Sequence, residues 1–109
     1  MSDSTVRGRF VWHELMTTDT KSAGRFFTKV IGWKTQAWPQ DASYTMFMAG
    51  GQSMGGLLPL PAEAAAMGVP PSWLTYIGTA NVDETAQQVV SLGGKILRPP
   101  SDIKTIGRF

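Results

Sequence analysis

The stretch FVWHELMTTDTKSAGRFFTKVIGW, residues 10–33, decides the fold of this chain. Its first part, Phe10–Met16, mixes aromatic, branched and polar residues, which is typical of a strand with both faces partly buried. Asp19 then offers a carboxylate to cap a helix, whose apolar residues recur at helical spacing, at positions 23, 26, 27, 30 and 31. Gly32 ends this pattern. The stretch therefore predicts a strand followed by a helix that buries one apolar stripe.

The residues that follow predict three more strands. Trp33–Trp38 is the first, and Tyr44–Ala49 is the second. The pair Gly50-Gly51 then predicts a hairpin turn into a third strand at Ser53–Leu60. Together with the leading strand and helix, these elements make one βαβββ unit that covers about residues 7–60.

The glycine-rich stretch Gly50–Gly56 lacks the Gly-Lys-Ser/Thr sequence that holds phosphate in a phosphate-binding loop. No helix pattern follows it directly. It therefore predicts a hairpin turn and a closely packed strand glycine.

The second half of the chain repeats the first. A shift of 61 positions lays Trp12 on Trp73, Thr18 on Thr79, Gly32 on Gly93 and Lys34 on Lys95. A proline-bracketed, alanine-rich linker covers residues 61–71, and a second unit covers 72–109. In that unit we predict a strand at Trp73–Thr79, a helix capped by Asn81, a strand at Lys95–Arg98 and the start of another at Ile106–Phe109. We therefore expect residues 1–109 to form a single domain with an incomplete second unit.

The composition excludes several classes of protein. The chain of 109 residues has no cysteine and a single histidine, so disulfide frameworks, zinc-cysteine sites, iron–sulfur clusters and thiol nucleophiles are excluded. The net charge is +2, and the basic residues are scattered among acidic ones. They form no basic stripe of the kind that binds nucleic acid. No apolar run approaches the roughly 20 residues that span a bilayer. We therefore expect a cytoplasmic domain that binds neither nucleic acid nor membrane.

Five stretches carry a resemblance to a known family: Trp12–Asp19, Phe26–Trp33, Ser72–Ile77, Leu92–Leu97 and Ile106–Phe109. In these stretches the chain resembles the vicinal oxygen chelate superfamily, which contains glyoxalase I, extradiol dioxygenases and bleomycin-resistance proteins. It looks most like the small glyoxalase-like branch. The resemblance implies an α+β fold in which paired βαβββ units form a curled mixed sheet around a cavity, with the second unit truncated in this chain.

The resemblance also implies a place for a metal, because many members hold a divalent ion with ligands from the first and last strands of both units. The positions nearest the leading-strand ligands are here Trp12 and either Trp73 or Leu74, and none of these binds a metal. We also expect residues 72–109 to lack the last strand of the second unit, which in the family often supplies a carboxylate. Since His13 is the only histidine, one chain also cannot form a site of two histidines and one carboxylate. We therefore expect no metal and no cofactor.

Glu14 is the candidate catalytic residue, because strand alternation puts its carboxylate on one face with Trp12, among apolar groups. There it would exchange a proton or anchor a polar group of a ligand, whereas at the rim of the sheet it would only pair with a cation. Trp12, Glu14, Trp73 and Tyr76 are the candidate ligand-binding residues, because aromatic walls suit flat apolar molecules, although aromatic residues also build small cores. Alternation sends His13 to the other face, which favours a structural role.

Two functions from different classes remain open. The first is a protein that binds a small, partly apolar molecule in an aromatic-lined cavity without metal. The alternative is a metal-dependent lyase or dioxygenase of the same superfamily, whose site is completed by the missing strand or by a partner chain. A third possibility is that these residues are part of a longer enzyme. The residues do not decide whether the chain is an enzyme. Because an incomplete unit leaves an unpaired strand edge, we expect a homodimer that completes the sheet.

Overall fold

The structure is a computed structural model that describes residues 4–104 and 106–109. A short 3-10 turn at Ser4–Val6 precedes the first strand. The elements that follow are β1 (Phe10–Thr17), α1 (Thr20–Val30), β2 (Lys34–Trp38), β3 (Asp41–Ala49), β4 (Gln52–Pro59), α2 (Ala62–Ala66), β5 (Ser72–Ile77), α3 (Val82–Ser91), β6 (Asp102–Ile103) and β7 (Gly107–Arg108). The strands up to β5 and the helices α1 and α3 follow one another in the predicted order, α2 lies in the predicted linker, and the α+β fold class is confirmed.

Five strands form one mixed sheet in the order β2-β3-β4-β1-β5. Strand β1 runs parallel to β4, while β3 is antiparallel to both of its neighbours. The predicted hairpin between β3 and β4 is confirmed: Gly50 and Gly51 have φ values of 56° and 80°, which residues with side chains rarely adopt. Strands β6 and β7 pair separately as a two-stranded sheet.

The chain divides into two compact units. One is Trp12–Thr75, which holds α1, α2 and β2 to β4. The other combines the described residues before Trp12 with those from Tyr76 onward, and it holds α3, β6 and β7. None of the helices in the described part of the chain is long and apolar enough to cross a membrane.

The core of the unit Trp12–Thr75 is small and aromatic. Its buried apolar side chains are Leu15, Phe47 and Leu57, and Phe47 is fully enclosed. The ring of Phe47 lies 5.5 Å from that of Phe27 on α1 and 5.0 Å from that of Trp33, between centroids. Such edge-to-face and tilted contacts stabilise a core beyond the area that they bury.

Helix α1 buries only part of its predicted apolar stripe. Phe27 packs against the core together with Ala23, as expected. Phe26, Val30 and Ile31 remain 56%, 65% and 52% exposed, so the expectation that the whole stripe is buried is wrong. The physical reason is the orientation of the helix: the edge that carries Ala23 and Phe27 faces the sheet, and the other edge of the stripe turns away from it.

Asp19 caps α1, as predicted. Its Oδ1 accepts a hydrogen bond from the backbone N–H of Ser22 at 3.0 Å, and its Oδ2 accepts one from the Ser22 hydroxyl at 2.8 Å. These two hydrogen bonds, helped by the nearby charge of Arg25, lower the pKa of Asp19 below its ordinary value of 3.8. The ionised carboxylate is therefore favoured by the folded state.

We expect the Asp19→Asn variant to remove an acid-dependent part of the stability. Because the folded pKa is depressed, the carboxylate stabilises the protein fully above its unfolded pKa, and this contribution is lost as the pH falls through the folded pKa. Asparagine keeps an acceptor at the N-cap without a titrating charge. The melting temperature of the parent should thus fall more steeply than that of Asp19→Asn below about pH 4. Parallel curves between pH 2 and 6 would contradict this.

In the second unit, α3 begins after Asn81, whose Oδ1 accepts a hydrogen bond from the N–H of Glu84 at 3.0 Å, as predicted. The guanidinium of Arg108 then joins this helix to the β6–β7 pair. Its Nη2 lies 2.9 Å from Asp83 and its Nη1 lies 3.1 Å from Asp102. Arg108 is thus held by carboxylates of its own unit.

The predicted strand at Lys95–Arg98 is wrong, because these residues are irregular. Two prolines follow them, and a proline has no N–H to donate to a ladder. Backbone pairing instead begins at Ser101, which exchanges two hydrogen bonds with Phe109 at 2.8 and 2.9 Å. The start of a strand predicted within Ile106–Phe109 is confirmed by β7.

Candidate functional site

The candidate site lies on one face of the sheet in the unit Trp12–Thr75. The register of the strands places Glu14 of β1, Gly56 of β4 and Met46 of β3 side by side in one row. The next row, Leu15, Leu57 and Thr45, points to the opposite face, where α1 packs. We call the face that carries Glu14 the Glu14 face.

A chain of hydrogen bonds crosses the Glu14 face. The indole Nε1–H of Trp12 donates to the hydroxyl oxygen of Tyr44 at 2.7 Å. The Tyr44 hydroxyl donates in turn to Oε2 of Glu14 at 2.6 Å, a short distance that is typical of a hydroxyl bonded to a carboxylate. All three side chains are partly buried. Trp12 and Glu14 therefore share one face, as strand alternation predicts.

Gly56 makes this chain possible. Strand β4 lies between β3 and β1, so the Tyr44 side chain must pass over β4 to reach Glu14. A Cβ atom at Gly56 would overlap the Tyr44 hydroxyl and ring. The neighbouring Gly55 is also closely packed, since a Cβ there would lie 2.8 Å from the carbonyl oxygen of His13. The prediction of a closely packed strand glycine in this stretch is confirmed at both positions.

Apolar and sulfur-containing side chains surround the hydrogen-bond chain. The ring of Trp38, at the end of β2, lies 5.8 Å from that of Tyr44 in an edge-to-face arrangement. Met46 stands in the row of Glu14, and Met16 pairs with Leu58 in a row of the same face. Each of these side chains is half-buried. The Glu14 face thus combines one carboxylate with an apolar surface.

The other two predicted ligand-binding residues lie elsewhere. Trp73 belongs to the aromatic cluster of the opposite face: its ring is 5.6 Å from Phe27 and 6.2 Å from Phe47. Tyr76 belongs to the second unit, where its ring lies 6.2 Å from Phe109 beside a cavity of about 160 Å³ that Arg108 also lines. The structure therefore brings Trp12 and Glu14 together and separates Trp73 from them.

His13 takes the opposite face from Trp12 and Glu14, as predicted. Its Nδ1 lies 3.3 Å from the hydroxyl of Thr75, and the side chain is exposed. This contact ties β1 to β5 and gives the ring a structural partner.

Tyr44 and Trp38 are the site residues whose roles the sequence leaves unassigned. Tyr44 stands 30 positions from Glu14, and its hydroxyl reaches the carboxylate only because the β3–β4 hairpin folds back beside β1. The usable signal in the sequence is the pair Gly55-Gly56 inside a predicted strand, because a strand glycine often marks a close approach of another group.

The donors on the Glu14 face do not fit the divalent metal that the resemblance implies. Trp12 stands near the expected ligand position, and an indole N–H donates hydrogen bonds but has no lone pair for a metal. The neighbouring oxygen atoms come from one carboxylate, Glu14, and one phenol, Tyr44. Within residues 4–104 and 106–109, no three His, Cys, Asp or Glu side chains group closely enough to hold a metal ion.

Comparison with known proteins agrees with the fold. The family model of the Glyoxalase/Bleomycin resistance protein/Dioxygenase superfamily matches residues 9–109. The chain is 35% identical over 101 residues to a Mycobacterium tuberculosis protein named "Putative glyoxylase CFP32", a match that covers 90% of this chain and 38% of that relative. It is 24% identical over 114 residues to the anthracycline biosynthesis protein DnrV of Streptomyces peucetius, covering 94% of this chain and 42% of DnrV.

The chain spans about two fifths of the length of these relatives. The family match nevertheless runs through both units, from β1 to the last residue of the chain. The chain belongs to the Glyoxalase/Bleomycin resistance protein/Dioxygenase superfamily.

Proposed function

We propose that the Glu14 face binds a small, partly apolar molecule that carries a hydrogen-bond donor or a positive charge, without the help of a metal. The observation that carries this proposal is the chain from Trp12 through Tyr44 to Glu14. In this series of hydrogen bonds, the indole N–H of Trp12 donates to Tyr44, and the phenol O–H of Tyr44 donates to Glu14. Since an ionised carboxylate only accepts hydrogen bonds, the chain ends in an acceptor and a negative charge.

The surroundings of the carboxylate suit the apolar part of such a molecule. The rings of Trp12 and Trp38 offer π surfaces that attract a cation as well as a flat apolar group. Met16 and Met46 are flexible side chains that adapt to ligands of different shape. A half-buried surface of this kind loses contact with water when a ligand covers it, which favours binding.

The names of the relatives support a small-molecule ligand. One is named "Putative glyoxylase" and the other is named an anthracycline biosynthesis protein, and both names concern small organic molecules. Where the ligand is a substrate, we propose Glu14 as the group that accepts a proton from it, with Tyr44 holding the carboxylate in place. Trp73 lies on the opposite face, where it is 42% exposed and its ring contacts those of Phe27 and Phe47.

We expect 9-aminoacridine, a flat aromatic cation, to bind the parent protein and to quench tryptophan fluorescence. Glu14→Gln should weaken binding by about tenfold or more, because it removes a charge-assisted contact worth about 1.5–3 kcal/mol. Trp12→Ala should weaken it comparably through loss of stacking. His13→Ala is the matched control on the same strand, and it should bind like the parent because its side chain takes the opposite face.

Acridine-9-carboxylate, which has the same ring system and the opposite charge, should bind more weakly than 9-aminoacridine. Equal binding of the two acridines, or loss of binding in His13→Ala with normal binding in Trp12→Ala, would overturn the proposal. Isothermal titration provides a second measurement that does not depend on tryptophan.

We also propose that two copies of the chain associate through β5, which stands at one edge of the five-stranded sheet. An edge strand offers unpaired backbone groups to another strand, and Leu74 on β5 is 43% exposed. We expect light scattering to give a dimer at micromolar concentration, and Leu74→Lys to shift it towards monomer. A well-behaved monomer of the parent would contradict this.

A further inference from the structure

A groove of about 410 Å³ lies on the opposite side of the sheet from the Glu14 face, between α1 and strands β2 and β3. Its helical wall carries the cations Lys21, Arg25 and Lys29. These residues are four positions apart, so they stand in a row on one face of α1, with a rise of about 6 Å between neighbours. No acidic residue lines the groove.

Four threonines, together with Gly24 and Leu57, make up the rest of the lining. Thr20 and Thr28 come from α1, Thr35 comes from β2, and Thr45 comes from β3. Both walls of the groove therefore present donors to a ligand oxygen, and the helical wall adds positive charge. A volume of this size is in the range of small-molecule sites.

Gly24 lines the groove without a side chain. A Cβ at this position would lie 3.7 Å from a methyl carbon of Leu57 and 3.9 Å from a methyl carbon of Thr35. A methyl group would therefore fit in ordinary contact, but a long side chain would fill the space between helix and sheet.

Asp19, at the N-terminus of α1, hydrogen-bonds to Ser22 through both of its carboxylate oxygens. Arg25 donates to the Ser22 hydroxyl at 3.2 Å, and its charge also acts on Asp19. Among the described residues, Lys21 and Lys29 form no ion pair. The charges of these two lysines are thus not offset by a neighbouring carboxylate.

The arrangement of these cations costs helix stability. Like charges four positions apart repel each other along a helix, and α1 contains no acidic residue to offset them. Lys21 also stands in the first turn, where the helix dipole disfavours a cation. A bound anion would remove both penalties.

We propose that this groove is a second ligand site, and that it takes a small molecule bearing phosphate groups. Phosphate oxygens match a row of cations with hydroxyl groups on the facing wall, and two linked phosphates can contact neighbouring cations of the row. The groove is separate from the proposed site on the Glu14 face, because Thr45 and Leu57 belong to the row that points away from Glu14.

The test uses inorganic pyrophosphate and the whole chain, with isothermal titration at low salt. The parent should bind, and the triple variant Lys21→Gln/Arg25→Gln/Lys29→Gln should lose about tenfold or more in affinity. The matched control, Arg7→Gln/Arg9→Gln/Lys95→Gln, removes the same charge from exposed positions outside the groove and should bind like the parent. Gly24→Met, which fills the groove and leaves its cations, should also lose binding.

Thermal unfolding gives a second measurement. Pyrophosphate should raise the melting temperature of the parent and of Glu14→Gln, but not that of the groove triple variant, which should itself melt no lower than the parent. No binding by the parent, or equal losses in the two triple variants, would overturn the proposal. Loss of pyrophosphate binding in Glu14→Gln would also overturn it, by showing that the two faces share one site.

Discussion

Replacing Phe47 with alanine is expected to lower the free energy of unfolding by about 3–5 kcal/mol, the largest single effect in this chain. Phe47 is fully enclosed, and its ring contacts those of Phe27, Trp33 and Trp73. The truncation removes these contacts and leaves a cavity that rigid aromatic neighbours cannot fill. Since domains of this size are stable by only about 5–15 kcal/mol, this loss is a large fraction of the whole free energy of unfolding.

Phe26→Ala is the matched control for this prediction. Phe26 is the same residue type, but its side chain is 56% exposed, and its ring makes an edge-to-face contact with that of Phe27 at 5.1 Å between centroids. Its removal should cost about 1 kcal/mol or less. Urea unfolding followed by far-ultraviolet circular dichroism measures both variants. Similar losses for the two would contradict the central place of Phe47 in the core.

The second large effect is expected at Gly56. Alanine there should cost about 1–3 kcal/mol, because the added methyl group overlaps the Tyr44 side chain, which must move off β4. The movement separates the Tyr44 hydroxyl from both Trp12 and Glu14, so binding of 9-aminoacridine should weaken as well. The indole N–H resonance of Trp12 should shift in a ¹⁵N-correlated NMR spectrum, which reports the loss of its acceptor directly.

A double-mutant cycle separates this overlap from other effects of the substitution. In a Tyr44→Ala background, no ring lies over β4, so Gly56→Ala should cost much less than in the parent. The coupling energy should reach about 1 kcal/mol or more. Gly24→Ala is the control for glycine substitution in general, since its methyl group would make only ordinary contacts. Additive effects of Gly56→Ala and Tyr44→Ala would show that the two residues do not meet.

Local patterns in the sequence determined the helix caps, the hairpin turn and the faces of the first strand. Asp19 and Asn81 cap helices because a side-chain oxygen is needed by N–H groups only a few residues away. Gly50-Gly51 turns a hairpin because both residues must adopt positive φ. Strand alternation likewise placed Trp12 and Glu14 on one face and His13 on the other. Each of these features depends only on residues that are close together in the sequence, so it can be predicted from the sequence.

Only the tertiary structure decided which distant residues meet. The β3–β4 hairpin had to fold back beside β1 before Tyr44 could bridge Trp12 and Glu14, and Gly56 acquired its role from that crossing. The repeat suggested that Trp12 and Trp73 are equivalent, yet Trp73 entered the aromatic cluster of the opposite face. The pairing between strands and the tilt of a helix depend on contacts across the whole unit. They therefore cannot be predicted from the spacing of residues along one element.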